Sequence, residues 1–179
     1  HVELTRNIVQ RFNGIYGDVF KVPEPYIPKA GARIMGLTTP DSKMSKSIPD
    51  GCVFLMEKPE DIQRKFKRAI TDSDTENCVR FAPVEKPGVA NLMNIYSAVT
   101  GKTMAEIETE FAGQGYGKFK PAVGDAVIET LRPIREEATR ILQDKAYLES
   151  VYKAGAEKAS YVANKTLRKV YKKIGFVAR

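Results

Sequence analysis

The sequence predicts a mainly α fold in two parts, an α/β segment over residues 1–56 followed by an all-helical region over residues 57–179. Three observations carry this prediction. Apolar residues recur at spacings of three and four over residues 2–16, and again through most of the chain after residue 58, which is the helical period. Between these stretches, residues 18–40 are cut by Pro23, Pro25 and Pro28, which leave room only for short extended pieces. With 179 residues, 42% hydrophobic and 28% charged, the chain has the composition of a globular protein large enough to bury a core.

The first helix is read from Val2, Thr5, Ile8, Val9, Phe12, Ile15 and Tyr16, with Gly17 at its stop position. It begins with neither a cap nor a methionine, and the expectation is that an earlier part of a longer protein precedes it. ARIMGL, residues 32–37, reads as a short buried strand entered through Gly31 and left through Gly36, and VFLM, residues 53–56, as a second.

Pro59 followed by Glu60 and Asp61 opens the helical region, because proline needs no amide partner in a first turn and acidic groups suit the helix N-terminus. Ile62, Phe66, Ala69 and Ile70 share one stripe of that helix. The polar break TDSDTEN, residues 71–77, separates it from a second helix over about residues 89–99. Thr103 with Glu106 forms a capping box and predicts a third helix over 104–111. GQGYG, residues 113–117, reads as a loop, after which Phe119, Val123, Val127, Leu131, Ile134, Ile141 and Leu142 trace a long helix that Pro133 should kink. The last helix is expected over residues 145–174, where Leu148, Val151, Tyr152, Val162, Leu167, Val170, Tyr171 and Ile174 keep helical spacing. Its lysines lie mostly off that stripe, so one face should pack while the other stays wet.

Charge is distributed unevenly. From residue 151 onward Lys153, Lys158, Lys165, Arg168, Lys169, Lys172, Lys173 and Arg179 are opposed by Glu157 alone, which matches the whole chain's formal excess of +7. A cationic face of this kind points to a polyanion such as RNA, and its bland counterpart is a solvated helix face.

Several classes are excluded. No apolar run approaches the roughly 18–20 residues that a membrane span needs, and the first residues do not read as a signal peptide; the cytoplasm is the expected location. Two cysteines and a single histidine, His1, cannot build a zinc finger, so Cys52 and Cys78 are expected to be small buried or half-buried residues. The same shortage of histidine rules out a Ser/His/Asp or Cys/His constellation within the chain. Gly101-Lys102-Thr103 imitates the end of a phosphate-binding P-loop, but that motif needs glycine where Tyr96 stands. Gly113, Gly115 and Gly117 lack the strand-then-helix context of a dinucleotide site.

The stretch that carries chemistry is DSKMSKS, residues 41–47, between the predicted strand and a Pro-Asp-Gly turn. Two ammonium groups on flexible stems suit a triphosphate whose charge shifts during reaction. Small serines let the backbone approach a ligand and add donors.

Lys43-Met44-Ser45-Lys46-Ser47 resembles the second ATP-binding signature of class I aminoacyl-tRNA synthetases. HVELTR, PKAGARIMGL, TDSD, KPGVANLMNIYSAVTG, GYGKFK, ETLRPI and GAEKAS extend the resemblance, in order, to the bacterial tryptophanyl-tRNA synthetase family. It implies that residues 1–56 are the C-terminal part of a Rossmann-like catalytic domain and residues 57–179 an α-helical anticodon-binding domain. It implies a homodimeric enzyme that activates L-tryptophan with ATP, accompanied by Mg2+ and with no protein-bound metal, and charges the tryptophan tRNA. Lys43 and Lys46 would hold the β- and γ-phosphates, Met44, Ser45 and Ser47 would complete the loop, and Ile34 would contact adenine through its backbone. Lys165, Lys169 and Lys172 are the candidate tRNA contacts. The family's first ATP signature, a His-x-Gly-His type motif, is not in this chain, so the chain alone is expected to be inactive and the loop, residues 40–50, to be mobile. A tyrosyl-type enzyme and a non-enzymatic RNA-binding helical protein are the alternatives.

Overall fold

Helix-forming patterns and their punctuation decide most of the architecture. The computed structural model describes residues 1–27, 33–73 and 78–177, and six α-helices run through them. They are α1 (Val2–Tyr16), α2 (Pro59–Arg68), α3 (Pro87–Thr100), α4 (Met104–Glu110), α5 (Gly115–Leu142) and α6 (Lys145–Ile174). α1 ends at Gly17 with φ 80°, a conformation that costs glycine little. α2 and α3 both start on a proline. Thr103 and Glu106 form the expected reciprocal cap of α4, and α6 covers the span predicted for it.

Three expectations are corrected. Among the described residues there is no strand longer than a single bridge, Met35 with Lys43. VFLM is not a strand: Phe54 and Glu57 close a turn on each other, the Glu57 N–H donating to the Phe54 carbonyl at 3.1 Å and the Phe54 N–H to the Glu57 carboxylate at 3.1 Å. β-prone residues need a neighbouring strand to pair with, and none lies beside them among the described residues. GQGYG is only partly a loop, because α5 begins at Gly115, where Tyr116 is buried and its hydroxyl donates to the Asp72 carboxylate at 2.8 Å. α5 continues through both Pro121 and Pro133. The third correction concerns Cys78, which is exposed, whereas Cys52 is buried; both are free thiols. Pro28 of the helix-breaking prolines, Gly31 and Ala32 of the predicted strand entry, Asp74 to Asn77 of the polar break, and Arg179 lie outside the described residues.

The chain forms two compact units, His1–Ile27 with Ile141–Arg179, and Pro28–Arg140. In the first, Asn13 ties the end of α1 to the extended residues behind it: its Oδ1 accepts the Val19 and Phe20 N–H groups, each at 3.1 Å, and its Nδ2 donates to the Phe20 carbonyl at 2.8 Å. α6 carries no buried residue, so the expected packing of its stripe is reached only by halves, at Leu148, Thr166, Val170, Tyr171 and Ile174. The second unit holds the main core. Ile62 and Phe66 of α2, Val89, Leu92 and Met93 of α3, Ile107 of α4, and Phe119 and Val123 of α5 are almost fully buried together. Tyr96, Phe111 and Phe119 meet edge to face, an arrangement that adds to their burial.

Candidate functional site

The cationic loop grows out of the core through three extended residues. Ile34, Met35 and Gly36 run antiparallel to Ser42, Lys43 and Met44: the Met44 N–H donates to the Ile34 carbonyl at 2.9 Å and the Gly36 N–H to the Ser42 carbonyl at 2.9 Å. The loop is then folded by short local bonds, from Ser42 N–H to Thr39 O, Ile48 N–H to Ser45 O and Gly51 N–H to Ile48 O, each at 3.0 Å. Its two limbs are glycine for a steric reason. A Cβ on Gly36 would come within 2.5 Å of the Thr39 hydroxyl oxygen, and one on Gly51 within 2.6 Å of that of Thr38.

Within this frame Lys43 and Lys46 are both exposed, as is Ser47, while Met44 and Ser45 are half-buried. The Ser45 hydroxyl accepts the Ser47 N–H at 3.3 Å. Met44 turns its side chain toward the helices. Together with Ile34, Val53, Phe66, Ile95 and Val127 it lines an apolar recess of about 240 Å³. Of the residues singled out from sequence, Ile34, Lys43, Met44, Ser45, Lys46 and Ser47 therefore share one small substructure. Lys165, Lys169 and Lys172 belong to α6 in the other unit, and all three are exposed. There Tyr161, Asn164, Lys165 and Arg168 border a recess of about 360 Å³.

Two anchors escaped the sequence reading. At the exit of the loop the Lys65 ammonium donates to the Cys52 carbonyl at 2.7 Å and pairs with the Glu57 carboxylate at 2.5 Å, with the Phe54 ring 5.3 Å from it. At its entry the side chain of Asn91 on α3 meets the Met35 backbone. A lone amide in the apolar run VANLMNIY was the only signal for the second, and nothing in spacing marks Lys65 among its neighbouring cations.

Residues 1–132 match the family of class I tRNA synthetases for tryptophan and tyrosine, and the chain belongs to that family. Two curated relatives are of the tryptophan type. The chain is 56% identical over 179 residues to the tryptophan–tRNA ligase of Clostridium tetani, covering 99% of this chain and 52% of that protein. It is 49% identical to that of Clostridium acetobutylicum, with the same coverage. The chain thus spans about half the length of the curated relatives it matches. Among solved structures, tryptophanyl-tRNA synthetase from Mycoplasma pneumoniae superposes with a TM-score of 0.85 at 28% identity, over 99% of this chain and 55% of that one. The Campylobacter jejuni enzyme, solved in complex with ADP and tryptophan, has a TM-score of 0.67 at 24% identity over 98% of this chain and 54% of that one, a likeness of fold.

Proposed function

We propose that this chain is the later half of an ATP-dependent tryptophan–tRNA ligase, a homodimer in its full-length form that acts in the cytoplasm on L-tryptophan, MgATP and the tryptophan tRNA. Residues 1–56 close the catalytic domain and residues 57–179 face the tRNA. This division follows role, whereas the two compact units follow contact. The observation that supports the reading best is the Lys43–Ser47 loop, whose lysines stand exposed to solvent while its base is hydrogen-bonded to Ile34 and Gly36.

The chemistry follows from charge. The tryptophan carboxylate attacks the α-phosphorus, a new carboxyl–phosphate bond forms, and the bond to the bridging oxygen of pyrophosphate breaks, so negative charge grows on the leaving group. Lys43 and Lys46 put two ammonium groups there. A cation that binds the departing pyrophosphate more strongly than the bound triphosphate lowers the barrier, and one that binds both equally does not. Serine hydroxyls of the loop supply further donors, and the Ile34 backbone faces the adenine. Magnesium enters with the nucleotide as part of the substrate. Aminoacyl transfer to the 3′ end of the tRNA follows, with Lys165, Lys169 and Lys172 of α6 as phosphate contacts.

Lys46→Ala in the full-length protein should slow tryptophan-dependent ATP–pyrophosphate exchange by roughly a hundredfold or more, with a smaller change in tryptophan affinity. An intact exchange rate with only weakened tryptophan binding would remove Lys46 from this role. Exchange driven by tyrosine in place of tryptophan would convert the reading to a tyrosyl-type enzyme.

A further inference from the structure

We infer that Asn91 is a positioning residue for the nucleotide loop: its side-chain amide fixes the backbone of Met35, the residue on which the loop is paired. The inference rests on the assignment of that loop to ATP. Successive peptide groups of an extended segment point to opposite sides. Ile34 and Gly36 spend theirs on the returning limb, at Met44 and Ser42. Met35 faces the other way. Its N–H donates to Asn91 Oδ1 at 2.9 Å and its carbonyl accepts from Asn91 Nδ2 at 2.9 Å, so one planar amide supplies both bonds that a neighbouring strand would supply. Met35 is also the bridge partner of Lys43. A single side chain therefore stands one residue away from the adenine-facing position and directly across the bridge from a phosphate-binding lysine.

The residue type is otherwise unexplained at this place. Asn91 is 4% exposed and sits between the buried Ala90 and Leu92 on α3. Asparagine is a poor helix former, and a buried amide costs stability unless it is hydrogen-bonded. An apolar side chain would serve the helix and the core better. The amide serves Met35. α3 is itself seated against the segment beyond the loop, since a Cβ on Gly88 would lie 2.1 Å from the Ile70 carbonyl oxygen, and the Ile70 N–H donates to the Leu37 carbonyl at 2.8 Å. The clamp thus holds Met35 to a fixed part of the core.

The test is Asn91→Leu, which keeps the volume and the apolar packing, and Asn91→Asp, which keeps one acceptor, both in the full-length protein with active sites counted by a single-turnover burst. Asn91→Leu should raise the KM for ATP and lower the exchange rate per active site by about tenfold between them, leaving the KM for tryptophan within about twofold. A purely structural asparagine would reduce the number of active sites and leave the KM for ATP of the remainder unchanged, and that result overturns the inference. In Asn91→Asp the ionised carboxylate faces the Met35 carbonyl, and its protonated form donates to it. Burial favours the protonated form, so the defect relative to wild type should shrink as the pH falls, and a defect that instead deepens counts against the clamp. Amide exchange separates this inference from the function it rests on. If wild-type protein carries out no exchange with tryptophan, the functional reading fails; the clamp still requires slow exchange at the Met35, Gly36 and Met44 amides, lost in Asn91→Leu while Met93 stays protected. Unaltered protection at those three amides overturns it.

Discussion

Lys86 sits where a lysine is expensive, 4% exposed just before α3, held by a carboxylate and a phenol hydroxyl that its ammonium reaches. Its ammonium lies 3.1 Å from the Asp72 carboxylate and 3.0 Å from the Tyr116 hydroxyl, while that hydroxyl reaches both Asp72 oxygens, at 2.9 and 2.8 Å, and the Cys78 carbonyl at 3.2 Å. Burial raises the Tyr116 hydroxyl above its ordinary pKa; the Lys86 ammonium pulls it back and the Asp72 carboxylate adds to the rise. The result is a junction in which the start of α5, the entry to α3 and the segment after α2 converge on one charge pair. Removing one member of a buried pair leaves the other desolvated, so Lys86→Met should cost about 3 kcal/mol in urea unfolding. Tyr116→Phe, which leaves the charges together, should cost only about 1 kcal/mol. Equal losses for the two variants would show that packing rather than charge governs the junction.

α4 is the shortest α-helix among the described residues and shows how far an element can be read from local chemistry. Its seven residues bury only Ile107, and its start is secured by reciprocal bonds in which the Glu106 N–H reaches the Thr103 hydroxyl at 3.3 Å and the Thr103 N–H reaches the Glu106 carboxylate at 2.7 Å. Two bonds donated to the Glu106 carboxylate, first from the Thr103 N–H and then from its hydroxyl at 2.8 Å, hold that carboxyl below its ordinary pKa. The stabilisation is therefore complete above the ordinary carboxyl pKa and is lost as the pH falls through the lowered one. Thr103→Ala should lower the melting temperature at neutral pH, in line with the roughly 1 kcal/mol typical of a lost cap, and the gap from wild type should narrow in acid. Thermal unfolding at pH 7 and pH 3 checks both. Signals of this local kind, prolines at first turns, Gly17, the capping box and the period of three and four, made the helices legible. The predicted strand at ARIMGL is reduced to a single bridge and the predicted loop at GQGYG runs into α5, because each depends on a partner distant in sequence: Asn91 lies 56 residues from Met35, and Asp72 lies 44 from Tyr116. The loop itself was readable as a five-residue pattern, yet the two anchors that fix its ends, Asn91 and Lys65, were not, since neither a lone amide in a helix nor one cation among several announces its partner.

At the scale of the whole molecule, the uneven charge and the proposed division of the nucleotide site make separable predictions. Eight cations against Glu157 after residue 150 account for the formal excess of +7, and Lys165, Lys169 and Lys172 fall at i, i+4 and i+7 of α6, one face of the helix. With 1.5 Å of rise per residue, these three ammonium groups spread over roughly 10 Å, a reach suited to successive phosphates of one strand. Contacts of this kind contribute affinity by releasing counterions, so binding weakens steeply with salt whatever the base sequence. The 179-residue chain, which carries Lys43 and Lys46 but no His-x-Gly-His signature, should show no tryptophan-dependent ATP–pyrophosphate exchange and yet bind the tryptophan tRNA with salt-sensitive affinity. Replacing all three lysines by glutamate should flatten the plot of log affinity against log salt by at least about two units, the loss expected for three phosphate contacts. Loop variants such as Lys46→Ala should leave that plot unchanged. Measurable exchange by the chain alone would defeat the division of the nucleotide site between two halves. An unaltered salt plot after charge reversal would return the α6 face to ordinary solvated surface while leaving the loop's assignment intact.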